Sequence, residues 1–276
     1  MCIRDSLVAI NFSFLPVPIV WLLSIAGAFA FGAAWAFIPA YLQATRGSHV
    51  VITTIMFNFI AASLMVFLLV DVIRDTAQMG PHTVALPKEQ WFPNFKDFAA
   101  LFGVKIRYSP LNISFLLAIA ASGFVWFLVW KTRWGYEMRA GGHNTQAAIY
   151  AGISPYKNII IAMCISGGLA GLLAVNEVLG VHHKIVAGFP AGYGFTGIAV
   201  ALMGRNHPIG IFPAAFLFGI LYQGGSEVTF DMPNITRYMF VAVQGVIILF
   251  SGALENLFRP QIENFFVNRL NLKAKA

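Results

Sequence analysis

Apolar residues run along this chain in long unbroken stretches, with neither the alternation of a half-buried strand nor the stripe of an amphipathic helix. Seven stretches hold no Asp, Glu, Lys or Arg: Val17–Ala40, His49–Val70, Leu111–Trp130, Asn158–Asn176, Ile185–Gly204, Asn206–Ser226 and Tyr238–Leu254. A membrane helix needs roughly 20 apolar residues, because each adds about 1.5 Å across a hydrocarbon core of about 30 Å. The pattern predicts an all-α integral membrane protein, a polytopic transmembrane helix bundle of about seven spans. Buried helices of a large soluble protein would also be apolar, but seven in one short chain do not fit that reading. The first stretch lies within a longer uncharged run, Ser6–Thr45, and the fifth and sixth are rich in Gly and Pro and separated only by Arg205.

Composition agrees. Of 276 residues, 58% are hydrophobic and 11% charged, with a mean hydropathy of +0.74. Soluble domains carry about 25% charged residues.

The few charges are placed unevenly. If the segments at 41–48, 131–157, 205 and 255–276 share one side, that side carries ten basic and three acidic residues, a net +7. The opposite side carries eight basic and seven acidic residues, a net +1, with Glu177 left at a helix end. The basic side is expected in the cytoplasm. That puts the start of the chain and the long 71–110 loop outside and the C-terminus inside. The same placement removes nucleic acid as a partner. A sequence pI near 9.6 can mark a nucleic-acid surface, but here the excess sits in short loops beside membrane spans.

Catalytic and metal signatures are absent from the sequence. Cys2 and Cys164 form no metal or redox pattern, and His182 and His183 are adjacent, pointing about 100° apart if helical. His49 and His207 flank expected spans, where an interfacial role fits. No phosphate loop occurs, so no ATP hydrolysis by P-loop chemistry is expected of this chain, and neither a bound cofactor nor a metal. Met1–Ser6, reading MCIRDS, is not a secretory signal. It is read as a sequence scar on a truncated frame, ahead of a transmembrane domain at 7–260 and a cytoplasmic tail at 261–276.

Small residues recur four apart at Ala28 and Gly32, at Gly167 and Gly171, and at Gly188 and Gly192. Such faces let helix backbones approach closely, and the Gly167–Gly171 pair is expected to do so. The stretch Gly188–Gly197, with four glycines and Pro190, reads as a broken or re-entrant helix beside a cavity.

The cytoplasmic segment 131–157 is too patterned for a linker. Asn144 is a good N-cap, Thr145–Ala151 makes about two turns, Gly152 suits the C′ position and Pro155 stops continuation. The product is a short capped surface helix. It suits docking into a partner's groove, and it is equally compatible with an ordinary interhelical loop.

Gly135-Tyr-Glu-Met-Arg-Ala-Gly-Gly-His-Asn-Thr-Gln-Ala-Ala-Ile-Tyr-Ala-Gly-Ile153 resembles the coupling loop of ABC importer permeases of the ribose, nucleoside and branched-chain amino acid group. Val51–Ile60, Ser166–Gly171 and Gly192–Gly210 resemble the same group in matching order, over about residues 17–260. The nucleoside and simple-sugar permeases, with a long outer loop, are the nearest branch. Members usually carry further spans ahead of this point, including an early polar-glycine segment that is absent here.

The resemblance implies a bacterial cytoplasmic-membrane permease subunit for nucleosides or simple sugars. It implies two cytoplasmic ATPase subunits that bind ATP and Mg, a second permease (a paralogue favoured over an identical copy) and an extracytoplasmic solute-binding protein. It assigns ATPase coupling to Gly135, Glu137, Arg139, Gly142, Asn144, Ala147, Ala148 and Gly152. Intramembrane polar residues are costly and often functional, which makes Thr53, Thr54, Asn58, Asn176, Glu177, Gln223 and Gln244 candidates for the substrate pathway. Interhelical hydrogen bonding is the alternative for each. Trp91-Phe92-Pro93 in the outer loop is read either as a contact for the binding protein or as a surface cap. Three rival functions stay open. An ion-coupled secondary transporter would use buried acids, an integral membrane enzyme would cluster His, Asp or Arg at one interface, and a branched-chain amino acid permease would differ in solute alone.

Overall fold

The computed structural model of the chain describes residues 16–72, 83, 86–93, 111–186 and 192–231, together with 239, 242–247 and 249–250. The MCIRDS segment, residues 187–191, part of the expected seventh span, the 261–276 tail and much of the 71–110 loop lie outside the described residues. The chain divides into two compact units, residues 1–189 and 190–276.

The first unit is built on α1 (Val17–Arg46), α2 (Val50–Phe67), α3 (Ser114–Lys131), α4 (Arg133–His143), α5 (Thr145–Tyr150) and α6 (Pro155–Val175). Two of these run on as wider π turns, α2 through Leu68–Val72 and α6 through Asn176–His182. Punctuation in the sequence explains the ends. Pro18 sits in the first turn of α1, and Gly47 at φ 63° closes that helix by donating its N–H to Gln43 O. Pro155 opens α6, where its missing N–H costs nothing. The expectation that Pro155 ends the preceding helix is thus joined by a second role.

Helices α1 and α6 form the centre of this unit, antiparallel and in backbone contact. A Cβ on Gly32 would collide with the Gly167 carbonyl, and one on Gly171 with the Ala28 carbonyl. The two small-residue pairs read separately in the sequence are therefore the two halves of one seam. Between apolar helices in lipid, such close approach supplies the attraction that water expulsion cannot. Gly192, by contrast, has open space at its Cβ position, and Gly188 of the third small pair lies outside the described residues.

At one end of this pair, Val20, Leu69, Phe92, Val175, Leu179 and Ile185 form a buried cluster. Residues 86–93 close over it. Phe92 N–H donates to Leu179 O at 3.0 Å and Leu86 N–H to His183 O at 2.9 Å. These bonds satisfy carbonyls that the end of a helix leaves open. Trp21 Nε1 donates to Gln90 O at 2.9 Å, and its ring meets Phe92 edge-on. Phe92 is only 4% exposed. Trp91-Phe92-Pro93 is thus part of a cap over this end of the unit.

The second unit contains α7 (Tyr193–Met203) and α8 (Pro208–Asp231). Arg205 and Asn206 both take positive φ between them, and Gly204 lies so close to Gly210 and Ile211 that a side chain there would collide. The fifth expected span is corrected at this point. Its helix has 11 residues, rising about 16 Å, roughly half the hydrocarbon core. Gly192 at φ 92° precedes it, in keeping with a broken helix. Among the described residues five helices are long and apolar enough to cross a membrane: Val17–Arg46, Val50–Val72, Ser114–Lys131, Pro155–His182 and Pro208–Gly225.

Candidate functional site

Two places in the first unit gather the residues singled out by sequence. The first is the α4–α5 segment. Thr132 breaks from α3 and caps α4, its Oγ1 accepting from Gly135 N–H at 3.2 Å. Gly135 is buried, and a Cβ there would strike the Leu128 and Val129 carbonyls. Its glycine is thus required by the tight α3–α4 bend. Glu137 pairs with Arg133 one turn back, at 3.0 Å, while Arg139 is exposed and Gly142 has open space around it.

Asn144 then ends α4 and starts α5, its Oδ1 accepting from Ala147 N–H at 3.1 Å. Gly152, at φ 79°, follows the last turn of α5, and Ile153 N–H returns to Ala148 O. The capped helix read from the sequence is present, ending within a residue of its expected bound. Its two alanines divide, however. Ala147 is exposed, whereas Ala148 is 4% exposed and packs inward. The outward surface is completed by Ile149 and by Tyr150, which is 92% exposed. Sequence reasoning quoted Tyr150 without assigning it. An aromatic residue in the last turn of a short surface helix was the available signal, since exposed Tyr anchors are favoured at interfaces.

The second place is a cavity of about 490 Å³ between α1, α2 and α6. Thr54 and Asn58, one turn apart on α2, line it, with Ser166 of α6 on the facing wall. Trp35 of α1 and Phe57 of α2 close one side, their ring centroids 5.9 Å apart and edge to face. Thr54 Oγ1 donates to Val50 O at 2.9 Å, so its lone pairs remain available. Asn58 and Ser166 have no hydrogen-bond partner among the described residues. Thr53 instead bonds His49 O on its own helix and is not part of the lining.

The remaining pathway candidates sit elsewhere. Asn176 and Glu177 lie in the π turn of α6, at the capped end. There Ser114 Oγ lies within hydrogen-bond reach of the Asn112 and Asn176 side-chain oxygens, to one of which its single proton is donated, Asn176 Nδ2 donates to Glu177 Oε1 at 3.4 Å, and Glu177 faces His182 at 3.5 Å. Glu177 is 8% exposed, and these bonds make it a member of an interhelical network. His183, in left-handed backbone at φ 53°, stacks on Trp91 with centroids 3.7 Å apart. Burial pushes its imidazole below the usual pKa, the nearby His182 adds to this, and a backbone hydrogen bond at Leu179 opposes it. Gln223, in the second unit, donates to Glu227 at 3.1 Å, and Gln244 is half-buried in a short described piece.

Comparison with known proteins adds the following. Residues 6–252 match the family described as branched-chain amino acid transport system, permease component. The chain is 35% identical over 231 residues to a guanosine ABC transporter permease of Bacillus subtilis, covering 83% of this chain and 63% of that relative. It is 31% identical over 272 residues to a glucose ABC transporter permease of Haloferax volcanii, covering 96% and 69%. A second guanosine ABC transporter permease of Bacillus subtilis is 30% identical over 229 residues, covering 80% and 69%. The chain thus spans between 63% and 69% of the length of these curated relatives. No solved structure matches it.

Proposed function

The chain belongs to the family of permease components of branched-chain amino acid transport systems, and from that membership we propose that it is the membrane-spanning subunit of an ATP-driven importer for nucleosides or simple sugars. It is a multi-pass inner-membrane protein. In the proposed complex, ATP and Mg are held by a separate cytoplasmic ATPase, and an extracytoplasmic binding protein delivers solute. The guanosine and glucose permeases among its relatives support the solute class. Two guanosine permeases from one organism, both similar to this chain, support a paralogous second permease.

One observation carries the mechanism: a short, doubly capped helix, α5, presents Ala147, Ile149 and Tyr150 outward while Ala148 ties it to the bundle. Because α5 joins α4 directly to the start of α6, force applied to it passes into the span that forms the central seam with α1. Closure of the ATPases would move α5, tilt α6 and switch the bundle between outward and inward states, a rigid-body change. In this proposal the segment and the C-terminus face the cytoplasm, a reading supported by the excess of basic residues in their loops.

The test is Ala147→Trp in the reconstituted importer. Ala147 is the right position, because Trp at the buried Ala148 would disturb the bundle itself. We expect solute-stimulated ATPase activity and uptake to fall more than about tenfold, with membrane insertion unchanged, since a bulky group held off a well-packed interface costs more than about 1.4 kcal/mol. Normal coupled ATPase activity in the variant would remove the assignment.

A further inference from the structure

We infer that the cavity between α1, α2 and α6 is a solute site on this chain, built for a neutral ring bearing hydroxyl groups and not for a zwitterionic amino acid. The inference rests on the importer reading and gives that reading a location and a chemical class.

Size comes first. About 490 Å³ lies within the range of about 300–1,000 Å³ found for small-molecule sites, and it suits a nucleoside or a hexose. Charge decides between the solute classes. Among the described residues the lining holds no Asp, Glu, Lys, Arg or His. An amino acid entering it would leave a carboxylate and an ammonium unpaired in a low-dielectric setting, which is costly. A neutral solute carries no such penalty.

Polar placement points the same way. Thr54, Asn58 and Ser166 form two facing walls within otherwise apolar spans. Asn58 offers two donors and an acceptor, and each hydroxyl offers one donor and acceptor lone pairs. Thr54 has committed its proton to its own helix, which leaves it as an acceptor. That set matches hydroxyl groups, each both donor and acceptor. Trp35 and Phe57 supply an apolar wall for the face of a ring. Gly32 and Gly167, where the α1 and α6 backbones touch, also line it. Lipid tails cannot satisfy Asn58 or Ser166, and this argues for a hydroxylated occupant over an acyl chain.

The experiment places a reporter beside the polar walls without altering them. Ala170 lines the cavity, so Ala170→Cys is introduced into the assembled importer in lipid nanodiscs. Its labelling by a small maleimide is followed by peptide mass spectrometry. We expect labelling in the absence of solute, slowed about fivefold by guanosine or glucose at four times its dissociation constant. Leucine should not slow it. Asn58→Leu should raise the half-protecting concentration about tenfold, the effect of one lost hydrogen bond. Ser166→Ala, a smaller change, should raise it in the same direction.

Three results would overturn the assignment. No labelling at all means that a partner helix fills the cavity. Labelling indifferent to guanosine and glucose means that lipid alone occupies it. Protection by leucine means that the solute class is wrong. ATP-dependent uptake of guanosine and glucose by the same preparation separates the two readings. Uptake without protection sinks the site and leaves the importer standing, whereas protection without uptake keeps the site and sinks the importer.

Discussion

Gly32 and Gly167 face each other across α1 and α6 so closely that neither tolerates a Cβ. The obstacle in each case includes backbone, which cannot rotate away as a side chain end can. Gly32→Leu is therefore expected to lower stability by about 1–3 kcal/mol or more, read as a fall in thermal midpoint of the purified protein. Gly123, on α3, has open space at its Cβ position, and Gly123→Ala should leave stability unchanged or raise it by up to about 1 kcal/mol. Equal effects of the two substitutions would contradict the seam. Spacing in the sequence marks both Ala28–Gly32 and Gly167–Gly171 as small faces. It cannot say that they meet, because spacing describes one helix at a time.

At the scale of elements, the cap over α6 carries a pH dependence. His183 stacks on Trp91, and burial holds its imidazole pKa below the ordinary value. The folded cap therefore binds fewer protons at this group than the open cap does. Its contribution to cap stability is present in full above the ordinary histidine pKa, about 6.5, and is lost progressively as pH falls below that value. Amide exchange at Leu86 and Phe92, corrected for the intrinsic pH effect, should be faster at pH 5.5 than at pH 7.5. His183→Asn, which tolerates the left-handed backbone, should remove the difference. An unchanged pH response in that variant would rule out His183 as its source.

The two segments at opposite ends of α6 were unequally legible. Asn144, Gly152 and Pro155 act within a few residues of themselves, so the α5 helix could be drawn from the sequence nearly as it stands. Trp91 and Phe92 act on residues about ninety positions away. Their inward turn depends on Leu179 and His183, which sequence proximity does not reveal.

For the whole molecule, the test is which end faces which side. The α4–α5 segment lies at the start of α6, and the 86–93 cap lies at its far end. A helix crossing the membrane must then put them on opposite sides. The proposed orientation, drawn from the charge bias, has the first facing the cytoplasm. In sealed cells, Glu89→Cys should react with an impermeant thiol reagent added outside, and Gln146→Cys only after lysis. Both native positions are exposed, so the reverse pattern would invert the topology.

Sequence by itself determined what depends on composition and on near neighbours. Uncharged runs of membrane length establish a polytopic helical protein, because a helix satisfies its backbone polar groups within one continuous apolar segment, whereas a barrel strand is shorter and alternates apolar with polar residues. Capping residues draw α5. Only the tertiary structure decided which polar residues share a site. Thr54 and Asn58 meet Ser166, Trp35 and Phe57 in one cavity, while Asn176 and Glu177 join an interhelical network and Thr53 bonds its own helix. Only the fold, likewise, turned Ala147 outward and Ala148 inward. The reason is common to both: a side chain's role in a helix bundle is set by the neighbours that crossing helices bring to it. Those neighbours lie tens of residues away along the chain, where local pattern carries no information.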